Sequence, residues 1–331
     1  MEVIISNRLV SIIIRCCNEE KHLGKLLTGI FEQTVPTIEV IIVDSGSIDR
    51  TLWVASRFPV IIRKINPNEF SFGRALNIGC STASGEILVF ASAHVYPTHR
   101  RWLEYLIAPF CDSRVGLTYG KQRGNEKSRY SEHQIFSKWF PERSVHVQKT
   151  PFCNNANAAV RRSLWEMIPF DEELTGLEDI DWGRRVLDKG YFLSYSAEAE
   201  VIHVHDEKYH EIFNRYYRES IVFYRLFPEQ RFHIWDFFWL WLLNVTTDYV
   251  HAFREGRLSR NVAQIPLFRL MQFWGTYRGY AKRYQVSDVL RQRFYYPNGL
   301  SFQRHQEAMK PETEYIDYVK VNDGEKAERI Y

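Results

Sequence analysis

The chain has 331 residues, 45% of them apolar, 25% charged and 15% aromatic, which excludes a disordered or fibrous protein and allows one sizeable core domain with an appendage. Its 43 Lys and Arg against 40 Asp and Glu leave a net charge of +3, too balanced for a protein that coats nucleic acid, so no nucleic-acid partner is expected and any polyanion contact is local. The five cysteines (Cys16, Cys17, Cys80, Cys111, Cys153) lack CxxC spacing, so neither a disulfide framework nor a zinc ribbon fits and a reducing cytoplasm is expected.

The first residues carry no basic region and no small-residue cleavage site, so no signal peptide is expected. From Val10 to Asp44 the pattern is strand, helix, strand: VSIII, a polar break at RCCNEE, a helix around His22 to Gln33, then IEVIIVD. Continuous β-branched runs joined by one helix predict buried parallel strands. A third strand is predicted at PVIIRKI and a fourth in GEILVFASAH, buried through Ile87 to Phe90. From Val115 a Tyr- and charge-rich stretch to Arg143 reads as a surface excursion. The chain returns through FCNNANAAVRRSLW into a helix and the acidic turn GLEDIDW, and the α/β core closes near His205.

Beyond about Tyr209 the sequence turns to helices dense in aromatics and arginine. Asp236 and Asp248 interrupt the apolar run from Trp235 to Val250, leaving it shorter than the roughly 18 to 20 residues of a membrane span. Between Arg225 and Gln285 nine Lys or Arg stand against four Asp or Glu, which beside Trp and Phe suits helices lying on an anionic membrane. The alternative is an aromatic core packed on the first domain. The division expected is a catalytic domain over residues 1–208, an aromatic and basic helical appendage over 209–285 that is membrane-facing on the first reading, and a polar tail over 286–331.

Ligands of open α/β sheets bind beyond the carboxyl ends of the strands, which directs attention to Arg15–Glu20, Asp44–Asp49 and Ser92–His94. In Asp44-Ser-Gly-Ser-Ile-Asp49 a glycine makes the turn and two carboxylates face the crevice, where they can accept bonds from a base or a ribose; an Asx turn with a helix cap at Ser47 or Asp49 is the alternative.

VSIIIRCCNEE, IIVDSGSIDRT, the Gly85-Glu86 strand and LEDIDW occur in the order and spacing of family 2 glycosyltransferases, and over roughly residues 8 to 225 the chain resembles that family. The resemblance implies a GT-A fold, a twisted mixed sheet flanked by helices, here with a C-terminal helical appendage. It implies that Asn18, Glu19 and Asp44, with Ser45 and Asp49 nearby, hold the nucleobase and ribose. Phe70-Ser-Phe-Gly-Arg74-Ala-Leu-Asn77 is similar to a loop in which a basic residue and an Asn meet the donor; Arg74 offers a planar fork suited to a diphosphate. At Ser92-Ala93-His94 the chain departs from the family's Asp-x-Asp. His94 can still bind a metal through a neutral imidazole nitrogen, resembling the Asp-x-His of polypeptide N-acetylgalactosaminyltransferases, and His203 and His205 in VIHVH are then the distant ligands. Such a site favours manganese over magnesium; without metal, His94 and Arg74 would meet the phosphates themselves.

Glu178-Asp179 matches the family's acidic pair. An inverting transfer needs a carboxylate within reach of the acceptor hydroxyl, and Asp179 is the residue expected to take that proton, with Glu178 orienting its surroundings. In Phe152-Cys-Asn-Asn-Ala-Asn157, Asn155 and Asn157 alternate toward one face and suit sugar hydroxyls. Taken together, these features predict an inverting transferase moving a sugar from a nucleotide-sugar donor to a saccharide or lipid-linked saccharide during surface-polysaccharide assembly, cytoplasmic or peripheral at the inner face of the plasma membrane. The lost Asp-x-Asp motivates a rival, a catalytically inactive nucleotide-sugar-binding or scaffold protein, which has no need of Asp179. A nucleotidyltransferase fits less well, because RCCNEE offers no glycine-rich phosphate loop.

Overall fold

The computed structural model describes residues 9–282. Its first half runs β1 (Val10–Cys16), α1 (Leu23–Phe31), β2 (Ile38–Asp44), α2 (Thr51–Ala55), β3 (Ile61–Lys64), α3 (Phe72–Thr82), β4 (Ile87–Ser92), β5 (Val95–Pro97), α4 (Trp102–Ile107), β6 (Val115–Arg123) and α5 (Tyr130–Trp139). The second half continues with β7 (Val145–Gln148), β8 (Asn157–Arg161), α6 (Arg162–Met167), α7 (Glu178–Asp188), β9 (Phe192–His203), α8 (Tyr209–Leu226), α9 (Ile234–Arg254), α10 (Leu258–Asn261) and α11 (Gln264–Ala281).

Eight strands form the path β3-β2-β1-β4-β8-β6-β9-β5, with β7 pairing on β9. The first four are parallel, whereas β8 runs antiparallel to β4 and β6. Because β1 has β2 on one side and β4 on the other, the order of strand addition reverses between β1 and β4, the place where an open sheet leaves a crevice at its carboxyl edge. The register aligns that edge: Cys16 lies opposite Asp44, and Arg15 opposite Ser92.

Alternation along β1 divides the core. Ile12 and Ile14 join Leu23, Leu26, Leu27 and Ile30 of α1 on one side of the sheet, while Ile13 joins Ala75, Leu76 and Cys80 of α3 on the other, as a period of two requires. The apolar positions of α1 recur at i, i+3, i+4 and i+7, so one face is buried.

Val115–Arg143 is not a surface excursion. Val115, Leu117 and Tyr119 alternate with Gly116 and Thr118 through the middle of the sheet, and all five are buried. The run VGLTYG carries the period-two apolar signal of a strand, and the charges that obscured it, Lys121 and Arg123, lie only at its end. The following α5 buries Tyr130, Ser131, Glu132 and Phe136.

Among the described residues, everything beyond Tyr209 that is regular is helical, and the expected tail at 286–331 lies outside them. No described helix is long and apolar enough to cross a membrane. Gly275 and Gly279, one turn apart on α11, let its backbone press on α8: a Cβ at these positions would come within 2.6 Å of the carbonyls of Phe213 and Tyr217. The helices are tied to the sheet domain by Arg269, whose guanidinium meets both carboxylate oxygens of Asp248 at 2.8 and 2.9 Å while Ser131 of α5 donates to Asp248 at 2.7 Å. Both partners are almost fully buried. Asp248→Ala leaves a buried guanidinium uncompensated and is expected to cost about 3 kcal/mol, read as a lower urea midpoint with an unchanged far-UV spectrum before the transition.

Candidate active site

The loop after β1 and the loop after β2 are laced together. Asn18 accepts from the Ile48 amide at 2.9 Å and donates its own amide to Ser47 Oγ at 2.9 Å; the Glu19 amide donates to Thr51 Oγ1 and the Glu20 amide to Asp49. Asn18 holds φ at +58°, a left-handed conformation that asparagine tolerates better than most. Asp44 takes the Asx turn: one carboxylate oxygen accepts from the amides of Gly46 and Ser47, both at 3.1 Å, and Gly46 has φ +99°. Asp49 likewise accepts from the Thr51 amide at the start of α2, and Ser45 donates its amide to the Cys16 carbonyl at 3.0 Å. The carboxylates of Asp44 and Asp49 thus build the wall of the crevice.

Across this wall His94, just past β4, donates from Nδ1 to Glu19 at 2.7 Å, with Ser92 Oγ 3.2 Å from its Nε2. Burial pulls the His94 pKa down, but the Glu19 carboxylate overrides it and leaves the pKa raised. The His94 ring stacks on His203 at 5.0 Å between centroids, and His94, His203 and His205 bring one ligand atom each within 4.8 Å of the others. His205 Nδ1 lies 2.6 Å from Glu132 and His203 Nδ1 lies 2.7 Å from Gln122 Oε1. Burial pushes the Glu132 carboxyl up, yet His205 and Arg215 outweigh it and hold its pKa at about 2.

A carboxylate brings no proton, so the Nδ1 atoms of His94 and His205 carry theirs, and Gln122 Oε1 asks the same of His203. In the tautomer that keeps each proton on Nδ1, the Nε2 atoms are free to ligate, and those of His203 and His205 stand 3.0 Å apart. A proton or a metal ion shared between them holds that pair together. Imidazoles whose far nitrogen is tied to a carboxylate or amide form the usual arrangement of metal-ligating histidines, so the residues fit a divalent metal.

The acidic pair opens α7. Glu178 is buried and pairs with Arg15 at 2.8 Å. Asp179 accepts from the Ile180 amide at 2.8 Å and the Asn155 amide at 3.2 Å, and desolvation, with Glu178 next to it, raises its pKa to about 7. Leu177, immediately before, holds φ +53°; with Asn18 it is the only non-glycine residue of positive φ among those described, so backbone strain is confined to the two loops of this site. Asp181 is committed to Arg184 and Arg185 at 3.1 and 2.8 Å. The amide group of Asn155 is buried with neither its oxygen nor its nitrogen partnered, beside Asp179.

Three expected residues are engaged elsewhere. Asn157 turns away from Asn155: it accepts from Trp102 Nε1 at 2.9 Å and donates to the carbonyls of Lys121 and Ala199. Asn155 sits in the turn before β8, so strand alternation does not relate the two. Asn77 bridges α3 to the Phe170 backbone, Glu172 and Trp165. Arg74, in the first turn of α3, pairs with Glu69 at 3.4 Å on the exposed side. Sequence reasoning singled out the segment that begins at Arg15 without giving that residue a role, and missed Gln122, Glu132 and Arg215. Gln122 and Glu132 fell in the stretch read as an excursion, although a Gln and a Glu between apolar strand and helix positions were the available signal.

The fold matches solved glycosyltransferases. A mannosyltransferase from Pyrobaculum calidifontis, solved with GDP-mannose and Mn2+, aligns over 87% of this chain and 87% of its own at a TM-score of 0.55 and 18% identity. Residues 1-349 of TarS from S. aureus, solved with UDP-GlcNAc, align over 84% and 94% at a TM-score of 0.50 and 16% identity. These show the GT-A fold. Among curated proteins, the O-antigen chain rhamnosyltransferases of Salmonella anatum and Salmonella typhimurium are 28% and 27% identical over 57% and 64% of this chain. The matched stretch spans 64% and 71% of their lengths. Residues 11–168 match the model for glycosyl transferase family 2; this stretch, which holds the crevice between β1 and β4, is a family 2 glycosyltransferase domain.

Proposed function

We propose that the protein is an inverting glycosyltransferase that moves a sugar, rhamnose being the first to test, from a nucleotide-sugar donor to a saccharide or lipid-linked saccharide in surface-polysaccharide assembly. The observation that carries this reading is Asp179, a carboxyl with a pKa raised to about 7 at the crevice and next to the unpartnered side-chain amide of Asn155. The loops holding Asn18, Glu19, Asp44, Ser45 and Asp49 meet the nucleoside, Arg74 reaches the diphosphate by leaving its exposed pair with Glu69, and the Asn155 side-chain amide meets the sugar hydroxyls. Asp179 takes the proton of the acceptor hydroxyl as it attacks, while Arg15 holds Glu178 beside it. His94, His203 and His205 would hold a divalent metal, manganese in preference to magnesium, which when bound offsets the charge of the leaving diphosphate. A lipid-linked acceptor would bring the enzyme to the inner face of the plasma membrane.

Calorimetric titration with UDP, GDP, dTDP and CMP, each with manganese and with chelator, tests the reading. One nucleotide is expected to bind at least about tenfold better than the rest and only with metal. Selective binding that persists in chelator would move phosphate recognition to Arg74. Binding of none would favour the inactive scaffold.

A further inference from the structure

Helix α9 presents an unusual outer face. Trp235 and Trp239 are 75% and 65% exposed and Phe253 73%, and Phe238, Leu242 and Val250 are each about half exposed. At 100° per residue, Trp235, Leu242, Thr246 and Phe253 fall on one line of the helix and the others flank it. The hydroxyls that would resist burial there are already satisfied within the helix: Thr246 donates to the Leu242 carbonyl at 2.9 Å and Thr247 to that of Leu243 at 2.8 Å. The opposite face, with Phe237, Val245, Asp248 and Ala252, is buried, so the helix cannot roll to hide its aromatics.

The charges at its ends select the occupant. Exposed Arg231 precedes the helix, two residues after exposed Glu229; exposed Arg254 closes its last turn, and exposed Arg257 and Arg260 follow. Of the acidic residues nearby, Asp248 is consumed by Arg269 and Asp236 accepts from the His233 amide; Glu255 lies 3.9 Å from Arg257. The helix is 21 residues long, about 31 Å. An apolar, Trp-bearing line of that length with a cluster of arginines at its C-terminal end matches a bilayer surface, where indoles and leucines enter the acyl boundary and guanidiniums meet anionic headgroups.

We propose that the Trp235–Phe253 face of α9 lies in the interfacial plane of an anionic lipid bilayer and is the membrane-docking surface of the enzyme. The proposal rests on the acceptor reading for its purpose, but its test does not. The full chain should float with vesicles of phosphatidylcholine and phosphatidylglycerol, with a blue-shifted tryptophan emission, and bind pure phosphatidylcholine vesicles more weakly. The combined Trp235→Gln, Trp239→Gln and Leu242→Gln variant should lose more than about tenfold in vesicle affinity, with nucleotide binding in solution and melting temperature unchanged. Arg254→Gln with Arg257→Gln should erase the preference for anionic lipid while keeping residual binding. Equal flotation of the triple variant and the parent, or no flotation of the parent, overturns the proposal while leaving the nucleotide site untouched. Concentration-dependent dimerisation abolished by the same triple variant would make a second copy the occupant and equally overturn it.

Discussion

Asp179→Asn is expected to lower kcat by about three orders of magnitude, the usual contribution of a positioned base, while leaving the nucleotide dissociation constant unchanged. The carboxyl works only when ionised, and its pKa is raised to about 7. For the parent enzyme log kcat/KM should therefore climb with unit slope up to about pH 7 and then level off. Glu178→Gln removes a neighbouring negative charge and frees Arg15 to act on Asp179, so the rising limb moves to lower pH. A stability signature of opposite sign accompanies this. Because the folded-state pKa lies above the ordinary value of 3.8, Asp179 favours folding fully below that value and loses this contribution as pH rises through about 7. The Asn variant, which never ionises, should melt no lower than the parent at pH 5 and several degrees higher at pH 8. Unchanged turnover in Asp179→Asn, or loss of nucleotide binding instead of turnover, would remove Asp179 from the role of base.

His203→Ala and His205→Ala are each expected to abolish binding of manganese measured by calorimetry and to lower turnover at least about a hundredfold. Glu132→Gln does not touch the metal; it weakens the hold on His205 Nδ1 and should reduce metal affinity by about 10- to 100-fold, with activity recovered at saturating manganese. That recovery separates positioning from a purely architectural role, which added metal would not rescue. Manganese affinity in His203→Ala equal to that of the parent would refute the three-histidine centre.

Much of this arrangement was legible in the sequence because it rests on short-range patterns. The β-branched runs of β1, β2 and β4 declare buried parallel strands, and the polar residues that follow them fall at the carboxyl edge where the crevice forms. VIHVH placed two histidines on one side by alternation, and they do converge, 3.0 Å apart. What was not legible is what long-range pairing decides. Nothing within RYSEHQIF reveals that Glu132 meets a histidine 73 positions later, or that Arg15 of the first strand pairs with Glu178 across 163 positions. Asn155 and Asn157 show the opposite error, a local rule applied across the junction between a turn and a strand. Asn77 has the chemistry of a donor contact, but the neighbouring segment around Phe170 had claim on every polar atom it carries.

Arg215 lies on α8, yet it donates at 2.8 Å to the same Glu132 oxygen that receives His205, and also to Glu207 at 2.7 Å. The helix that begins at Tyr209 is in turn clamped by the close approach of α11 at Gly275 and Gly279. The limit of the sheet near His203 is consequently no seam along which the enzyme can be cut. A chain ended at residue 208 would keep every described strand and the imidazoles of His94, His203 and His205 but forfeit the guanidinium that braces one of them through Glu132, and grafting the first 208 residues onto a foreign C-terminal half would transplant an unbraced histidine cluster.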